Sequence, residues 1–368
     1  MQIVYVVTSS GRDIYSAMTR VSVASIRLTN PQIKVTGVCD AETDRAMRSG
    51  KDPLLDEVDE WVAFETPPGP PAFRNRFLKT SLRGRIGGPY LFLDSDTIIR
   101  DDISPVFKMP GDLAAAPNHS RDVDPEKVFG CDSAVLDEMN WMISPMIYVN
   151  GGVLWVTQSE GAHRFYRLWH EKWRLAHQHL NNYRDQPALN SALFESGVVC
   201  TILSHRYNAQ IKMEPSKARD AAIWHYYSSE QGNDTNSIDR LVQTAAISGS
   251  IDITRLRALI QSQAIWPRGF WATRPGLEMI RCSARDLSEA VQSGQDTDEL
   301  FQKIRMTDPV YARSVLMKTW VDAYWSEMPK VHRFARSKLI RHFPQAIWAA
   351  PVRRCWVHGL KRQFKSFW

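Results

Sequence analysis

The 368-residue chain has no run of about 18 uncharged apolar residues, so no segment reads as a membrane-spanning helix. It has no Cys-x-x-Cys pair. Cys39, Cys131, Cys200, Cys282 and Cys355 stand far apart, which argues against a zinc site or a disulfide framework and for scattered reduced thiols. A P-loop and a Gly-x-Gly-x-x-Gly dinucleotide fingerprint are both missing, and His170-Glu171 is no zinc-protease motif because position 174 is arginine. The start lacks the basic stretch and cleavage site of a secretory leader, so a cytoplasmic protein is expected. One further absence is of charge. From Lys330 to Trp368 there are ten Lys or Arg and no Asp or Glu, so the whole excess behind the net charge of +6 lies in the last tenth of the chain. Such asymmetry points to an anionic partner for the tail.

What is present is an alternation of strand and helix signals. Gln2–Val7 is a short β-branched run, followed by helical spacing from Tyr15 to Leu28 and a second strand over Ile33–Cys39. Thr66-Pro67-Pro68-Gly69-Pro70-Pro71 must be loop. A helix is predicted over Phe73–Leu82. Strands are predicted over Tyr90–Leu93, Leu113–Ala116, Met146–Val149 and Val153–Val156, with a long amphipathic helix over Gly161–Leu180. Alternation of this kind predicts an α/β fold with a mostly parallel sheet, whose ligands sit at the carboxyl ends of the strands. Beyond about residue 245 only helical segments appear, so the expected division is 1–245 for the α/β domain and 246–368 for a helical accessory region. His163, His170 and His177 recur every seven residues on the long helix; among so many Arg and Lys they read as a solvated stripe rather than a metal ladder.

The strongest local signal is Leu91-Phe92-Leu93-Asp94-Ser95-Asp96. A buried strand delivers two carboxylates one residue apart, on the same side of an extended chain, where both can approach one cation. Their hard oxygens suit Mg²⁺ or Mn²⁺, which can bridge a diphosphate and stabilise its charge as it leaves. Acidic pairs after strands are also common at turns and caps. Upstream, Arg74, Arg76 and Lys79 make a basic helix face suited to a diphosphate, or simply to water. Downstream, Asn150-Gly151-Gly152 would let backbone approach a ligand, although a plain hairpin turn explains the glycines nearly as well. Asp185 could orient a ligand's hydroxyls, act as a base, or cap a helix before Pro187, whereas Gln186 cannot be a base at neutral pH. His225 would suit a third ligand to Mn²⁺.

The order of these motifs (Thr8-Ser9-Ser10-Gly11-x-Asp13-x-Tyr15, Lys79-x-x-Leu82, Leu93-Asp94-Ser95-Asp96, Asn150-Gly151-Gly152, Asp185-Gln186-x-x-Leu189-Asn190, Tyr207-Asn208, His225-Tyr226) resembles the GT-A-fold glycosyltransferases. It is most similar to the retaining family that contains glycogenin and bacterial lipopolysaccharide galactosyl- and glucosyltransferases. The resemblance covers roughly residues 1–230. It implies a GT-A fold and metal ligation by Asp94, Asp96 and His225. Thr8, Ser9 and Tyr15 would hold the nucleoside, Lys79 and Ser95 would contact the donor, and Asn150, Gly151 and Gly152 would line the sugar site. Asp185 and Gln186 would stand beside the anomeric carbon, and Tyr207-Asn208 would be structural. Tyr226-Tyr227-Ser228-Ser229 stands where the family usually carries a glycine and a phosphate-gripping lysine.

The reaction expected is retaining transfer from a nucleotide-sugar, a UDP-sugar in the first instance, to a glycan or glycolipid. The tail, 330–368, mixes its ten cations with three Trp and four Phe. That composition suits an anionic membrane surface, and a peripheral protein at the inner face of the membrane is expected; a cationic helix packed on the core is the plainer alternative. No nucleic-acid partner is expected. The rival functions are a nucleotidyltransferase, disfavoured because the first loop holds one Gly and one Arg instead of a glycine-rich basic loop, and a non-enzymatic membrane- or RNA-binding protein.

Overall fold

The computed structural model describes residues 1–10, 13–118, 131–145, 147–211, 218, 220–226, 237–261, 274–295, 297–307 and 309–344. The chain forms two compact units, the first comprising Met1–Lys212, Asp220–Gly232 and Asp239–Gln261.

In this first unit the strands are β1 (Gln2–Val7), β2 (Lys34–Asp40), β3 (Glu60–Phe64), β4 (Tyr90–Leu93), β5 (Thr97–Ile99), β6 (Leu113–Pro117), β7 (Val149–Val156), β8 (Cys200–Ile202), β9 (Ala209–Gln210) and β10 (Ile223–His225). Seven make one sheet in the order β3-β2-β1-β4-β7-β6-β8, in which only β7 runs antiparallel to its neighbours. The other three form a small sheet, β5-β10-β9. Helices α1 (Ile14–Thr29), α2 (Ala41–Gly50), α3 (Leu54–Glu57), α4 (Pro71–Ser81), α5 (Cys131–Glu138), α6 (Glu160–Leu180), α7 (Gln186–Ser196), α8 (Ser237–Ser248) and α9 (Ile253–Gln261) complete the unit. The fold is the mixed α/β arrangement that the alternating signals predict.

Local chemistry explains most boundaries. The Asp13 carboxylate accepts from the N–H groups of Tyr15 and Ser16 and starts α1; Asp40 does the same for α2 with Glu42 and Thr43. Asn181 and Gly197 close α6 and α7 in the left-handed region, which costs glycine nothing. The central strands are apolar on both faces, as a sheet covered by helices requires. Ile3, Tyr5, Leu91, Leu93 and Val153 pack on one side of it, and Val4, Phe92, Leu154, Trp169 and Trp173 on the other.

Two sequence expectations change. Asn150-Gly151-Gly152 does not interrupt two strands. It lies inside β7, which pairs with β4 from Leu93↔Val153 to Tyr90↔Val156; Met146 is outside the described residues. The histidine stripe on α6 is not solvated either. His170 stacks edge-on against Phe77, His177 stacks on Trp173, and His163 is half-buried. Burial, helped by Arg174 and Arg85, pushes the His170 imidazole down to about 4.

The second unit comprises Met213–Arg219, Asn233–Ile238 and Ser262–Trp368. Its described helices are α10 (Arg274–Ser293), α11 (Thr297–Thr307), α12 (Pro309–Trp325) and α13 (Pro329–His342). Val331, Ala335 and Leu339 recur every four residues on α13 and are buried, while Lys330, Arg333, Arg336 and Arg341 are exposed. Lys338 pairs with Asp298. No described helix is long and apolar enough to cross a membrane.

Candidate active site

Three chain segments meet at the carboxyl end of β4. The strand ends at Leu93, and the turn Asp94-Ser95-Asp96 leads into β5. β5 pairs with β10, so His225, the last residue of β10, lies opposite Thr97. Beside them β7 carries Gly152, whose carbonyl accepts from the Asp94 N–H at 2.8 Å. One ligand atom each from Asp94, Asp96 and His225 lie within 4.8 Å of one another.

Gly152 is what lets them converge. A Cβ on this residue would stand 2.3 Å from His225 Cε1 and 2.9 Å from Asp94 Oδ2. The residues fit a divalent cation: two hard carboxylates and an imidazole gathered over a strand that withdraws its side chain.

The imidazole is buried. His225 Nε2 lies 3.2 Å from Asp96 Oδ1, and Nδ1 lies 3.1 Å from Asn208 Oδ1. Burial alone would lower its value; the Asp96 carboxylate, seconded by Asp94, outweighs burial and raises it. A raised value means that, without an ion, the charged pair with Asp96 contributes stability below the ordinary histidine range and loses it as pH rises through the raised value. An ion needs the opposite state, an unprotonated Nε2. Mn²⁺ affinity is therefore expected to tighten steadily between about pH 5.5 and 8. Titrating Mn²⁺ by electron paramagnetic resonance across that range checks this, and a flat profile would remove His225 from the ligand set.

On the other side of Gly151 stands Asp185. It occupies the N-cap position of α7, before Pro187, yet its side chain makes no capping hydrogen bond. The carboxylate is held between two cations from α4: Arg76 Nε reaches Oδ1 at 3.1 Å, and Lys79 Nζ reaches Oδ2 at 3.1 Å. Lys79 also lies 3.1 Å from Asp94 Oδ1, so it links the two acidic groups. Burial would raise the Asp185 carboxyl, but Lys79 and Arg76 outweigh it and hold it below the ordinary carboxylate range.

The remaining predicted residues divide. Gln186 Oε1 accepts from Asn150 Nδ2 at 3.3 Å, so Asn150, Gly151 and Gln186 adjoin one another. Ser95 is tied to α1, since Thr19 Oγ1 lies 2.8 Å from both its hydroxyl and the Tyr15 carbonyl. Thr8 and Ser9 are buried at the carboxyl end of β1, and the Ser9 N–H donates to Thr43. The Tyr15 ring is exposed. Of the basic face on α4, Arg74 turns away to Asp40 and Glu42 at the end of β2, which leaves Arg76 and Lys79 at the site. Tyr227, Ser228 and Ser229 lie outside the described residues. Asn208, which the motif order offers only as structural, touches both His225 and Asn150. No local sequence signal separates such a residue from any buried asparagine.

The sequence model of the family described as nucleotide-diphospho-sugar transferase matches residues 83–229, the stretch that holds Asp94, Asp96, Asn150, Asp185 and His225. The chain resembles the GT-A glycosyltransferases. The match supports a glycosyltransferase, as the motif order implied. Among solved structures, galactosyltransferase LgtC in complex with donor and acceptor sugar analogs aligns at 17% identity over 74% of this chain and 99% of that one, with a TM-score of 0.47. Mouse xyloside xylosyltransferase 1 aligns at 14% identity over 61% and 97% of the two chains, with a TM-score of 0.40. The glycosyltransferase GlyE of Streptococcus pneumoniae TIGR4 aligns at 16% over 70% and 62%, with a TM-score of 0.44. No curated protein matches the chain.

Proposed function

We propose that this chain is a metal-dependent, retaining glycosyltransferase that moves a sugar from a UDP-sugar to a glycan or glycolipid acceptor. The observation that carries the reading is the convergence of Asp94, Asp96 and His225 over Gly152, directly beside an Asp185 clamped by Lys79 and Arg76. Mn²⁺ or Mg²⁺ on the first three residues would supply Lewis-acid neutralisation of the diphosphate. The chain's own groups do the rest. Lys79 brings a buried positive charge to the same place, where a phosphate gains most from it. Asp185 stays ionised, because its value is depressed; that makes it a poor base and a strong acceptor for sugar hydroxyls. Gln186 is uncharged and adjoins Asn150 and Gly151, where it can present its amide to the sugar. Tyr15 offers an exposed ring at the edge of the site for the base.

The test is release of UDP from a panel of UDP-hexoses, with and without EDTA, followed by transfer to glycan and glycolipid acceptors. Turnover that needs a divalent ion and yields a product of unchanged anomeric configuration is expected. Release of pyrophosphate from UTP and a sugar phosphate would instead favour the nucleotidyltransferase.

The tail adds an address. The exposed cations of α13 form one face with no acidic residue, and residues 345–368, outside the described set, add five more cations and three Trp. Each cation at an anionic leaflet contributes about 1 kcal/mol, screened by salt, and buried aromatic rings would add a salt-insensitive part. The full chain should sediment with phosphatidylglycerol vesicles, less so in high salt. A chain ending at Pro344 should bind less and keep UDP release. The cut leaves α13 in place, because that helix contributes Val331, Ala335 and Leu339 to the helical core. Equal vesicle binding by both chains would take residues 345–368 out of the address.

A further inference from the structure

The amide groups behind the site form a single chain of hydrogen bonds whose direction is set by the backbone. The Gly152 N–H, which can only donate, lies 2.9 Å from Asn150 Oδ1. That fixes which end of the Asn150 amide is oxygen. Asn208 must then present its Nδ2 to the same oxygen, as it does at 2.9 Å, and so its Oδ1 faces His225 Nδ1 at 3.1 Å. An oxygen there requires Nδ1 to be the protonated nitrogen, which leaves Nε2 as the ligating one. In the other direction, Asn150 Nδ2 donates to Asn118 Oδ1 at 3.2 Å and to Gln186 Oε1 at 3.3 Å. The Gly151 N–H, 3.5 Å from Gln186 Oε1, agrees with that polarity. With its oxygen engaged there, Gln186 has its Nε2 for the sugar.

We propose that Asn208 is a positioning residue which, through Asn150, couples the ligating nitrogen of His225 to the orientation of the Gln186 amide. Nothing in the motif order assigns it this work. Asn208 has no solvent exposure and Asn150 almost none, and both hydrogen-bonding positions on each end of the Asn150 amide are used within the chain. One side chain thus touches the imidazole on β10 directly and reaches the Gln186 amide on α7 through Asn150 on β7. The proposal rests on the metal reading above, and the two are separable by experiment.

Two substitutions divide the relay. Asn208→Leu removes the acceptor for His225 and the donor to Asn150. Asn208→Asp keeps an acceptor for the imidazole but sets a carboxylate oxygen where Nδ2 stood, 2.9 Å from Asn150 Oδ1; this acceptor–acceptor clash works against the sense that the Gly152 N–H imposes and drives the Asn150 amide, and with it the hold on Gln186, out of place. Mn²⁺ affinity, measured by electron paramagnetic resonance, should fall about 10- to 100-fold in the leucine variant. It should stay within about threefold of wild type in the aspartate variant, while kcat for release of UDP falls at least about tenfold with KM for the donor little changed. A merely structural role would lower the melting temperature of both without splitting metal affinity from kcat. Wild-type Mn²⁺ affinity in the leucine variant overturns the proposal. So does an aspartate variant that either loses Mn²⁺ affinity as the leucine one does or turns over as wild type does. Should the leucine variant fail to fold, the aspartate variant decides alone on those two readouts. If wild-type protein binds no Mn²⁺, or Asp96→Ala binds it equally well, the metal reading itself has failed and Asn208 is not at fault.

Discussion

Asp94→Ala and Asp96→Ala should each lower sugar transfer by at least about a thousandfold while the protein stays folded. The argument is one of charge. A departing diphosphate builds negative charge that must be met by positive charge already in place, and preorganised charge of this kind is the largest single contribution in most enzymes. Each carboxylate is one of three groups gathered within 4.8 Å of one another, and a site with two ligands binds its ion far less tightly than one with three. The fold should tolerate the change because both side chains retain some exposure. In Asp94→Ala, moreover, Lys79 keeps Asp185 as its partner. The melting temperature should move by a few degrees at most. In Asp96→Ala the imidazole also loses the partner that raises its value, so His225 becomes neutral more readily but has less to bind with. A transfer assay on the identified donor, run beside thermal denaturation, decides the matter: folded variants with near-wild-type turnover would place the ion elsewhere.

How far the site could be read before the fold was known follows from the range of the signals. Asp94 and Asp96 were legible because strand end, carboxylate and spacing are all local. The same holds for the strands β1, β4 and β6, whose apolar runs are short and sharply bounded. The edge strand β3 has mixed burial and so carries no clear alternation to read. Gly151 and Gly152 left a close approach and a turn both open. Paired glycines mark a turn or a crowded strand equally well, and only the approach of His225 from 73 residues away shows which. Asp185 shows the same limit. Its place before Pro187 is that of a cap, but Arg76 and Lys79, more than a hundred residues earlier, claim its carboxylate. The clamp on Asp185 depends on α4 bringing Arg76 and Lys79 to the start of α7 beside Gly151, and no window of sequence contains it.

The two neighbouring glycines should part company when each is changed to alanine. Successive residues of a strand face opposite sides, so their new methyl groups meet different surroundings. At Gly152 the Cβ would lie 2.3 Å from His225 Cε1 and 2.8 Å from Nδ1. The strand cannot retreat: the Gly152 N–H is bound to Asn150 and its carbonyl to the Asp94 N–H, within a ladder that continues along β4. The imidazole must therefore move, and a ligand displaced by about 1 Å is enough to cost about a hundredfold in rate. Overpacking should also cost about 1–3 kcal/mol of stability. At Gly151 the nearest atoms are Leu189 Cδ2 at 3.5 Å and Lys79 Nζ at 3.7 Å, which is ordinary contact. That variant should fold with near-wild-type stability and bind Mn²⁺ normally. Its methyl group would nonetheless stand within 4.0 Å of Asp185 Oδ2, on the side where the sugar is expected, so the donor KM should rise. Mn²⁺ binding by electron paramagnetic resonance, read beside steady-state kinetics, separates the two outcomes. Undiminished Mn²⁺ affinity in Gly152→Ala would mean that His225 does not ligate from where β10 holds it. A loss of Mn²⁺ affinity in Gly151→Ala would place the ion on the other face of β7, toward Lys79 and Asp185.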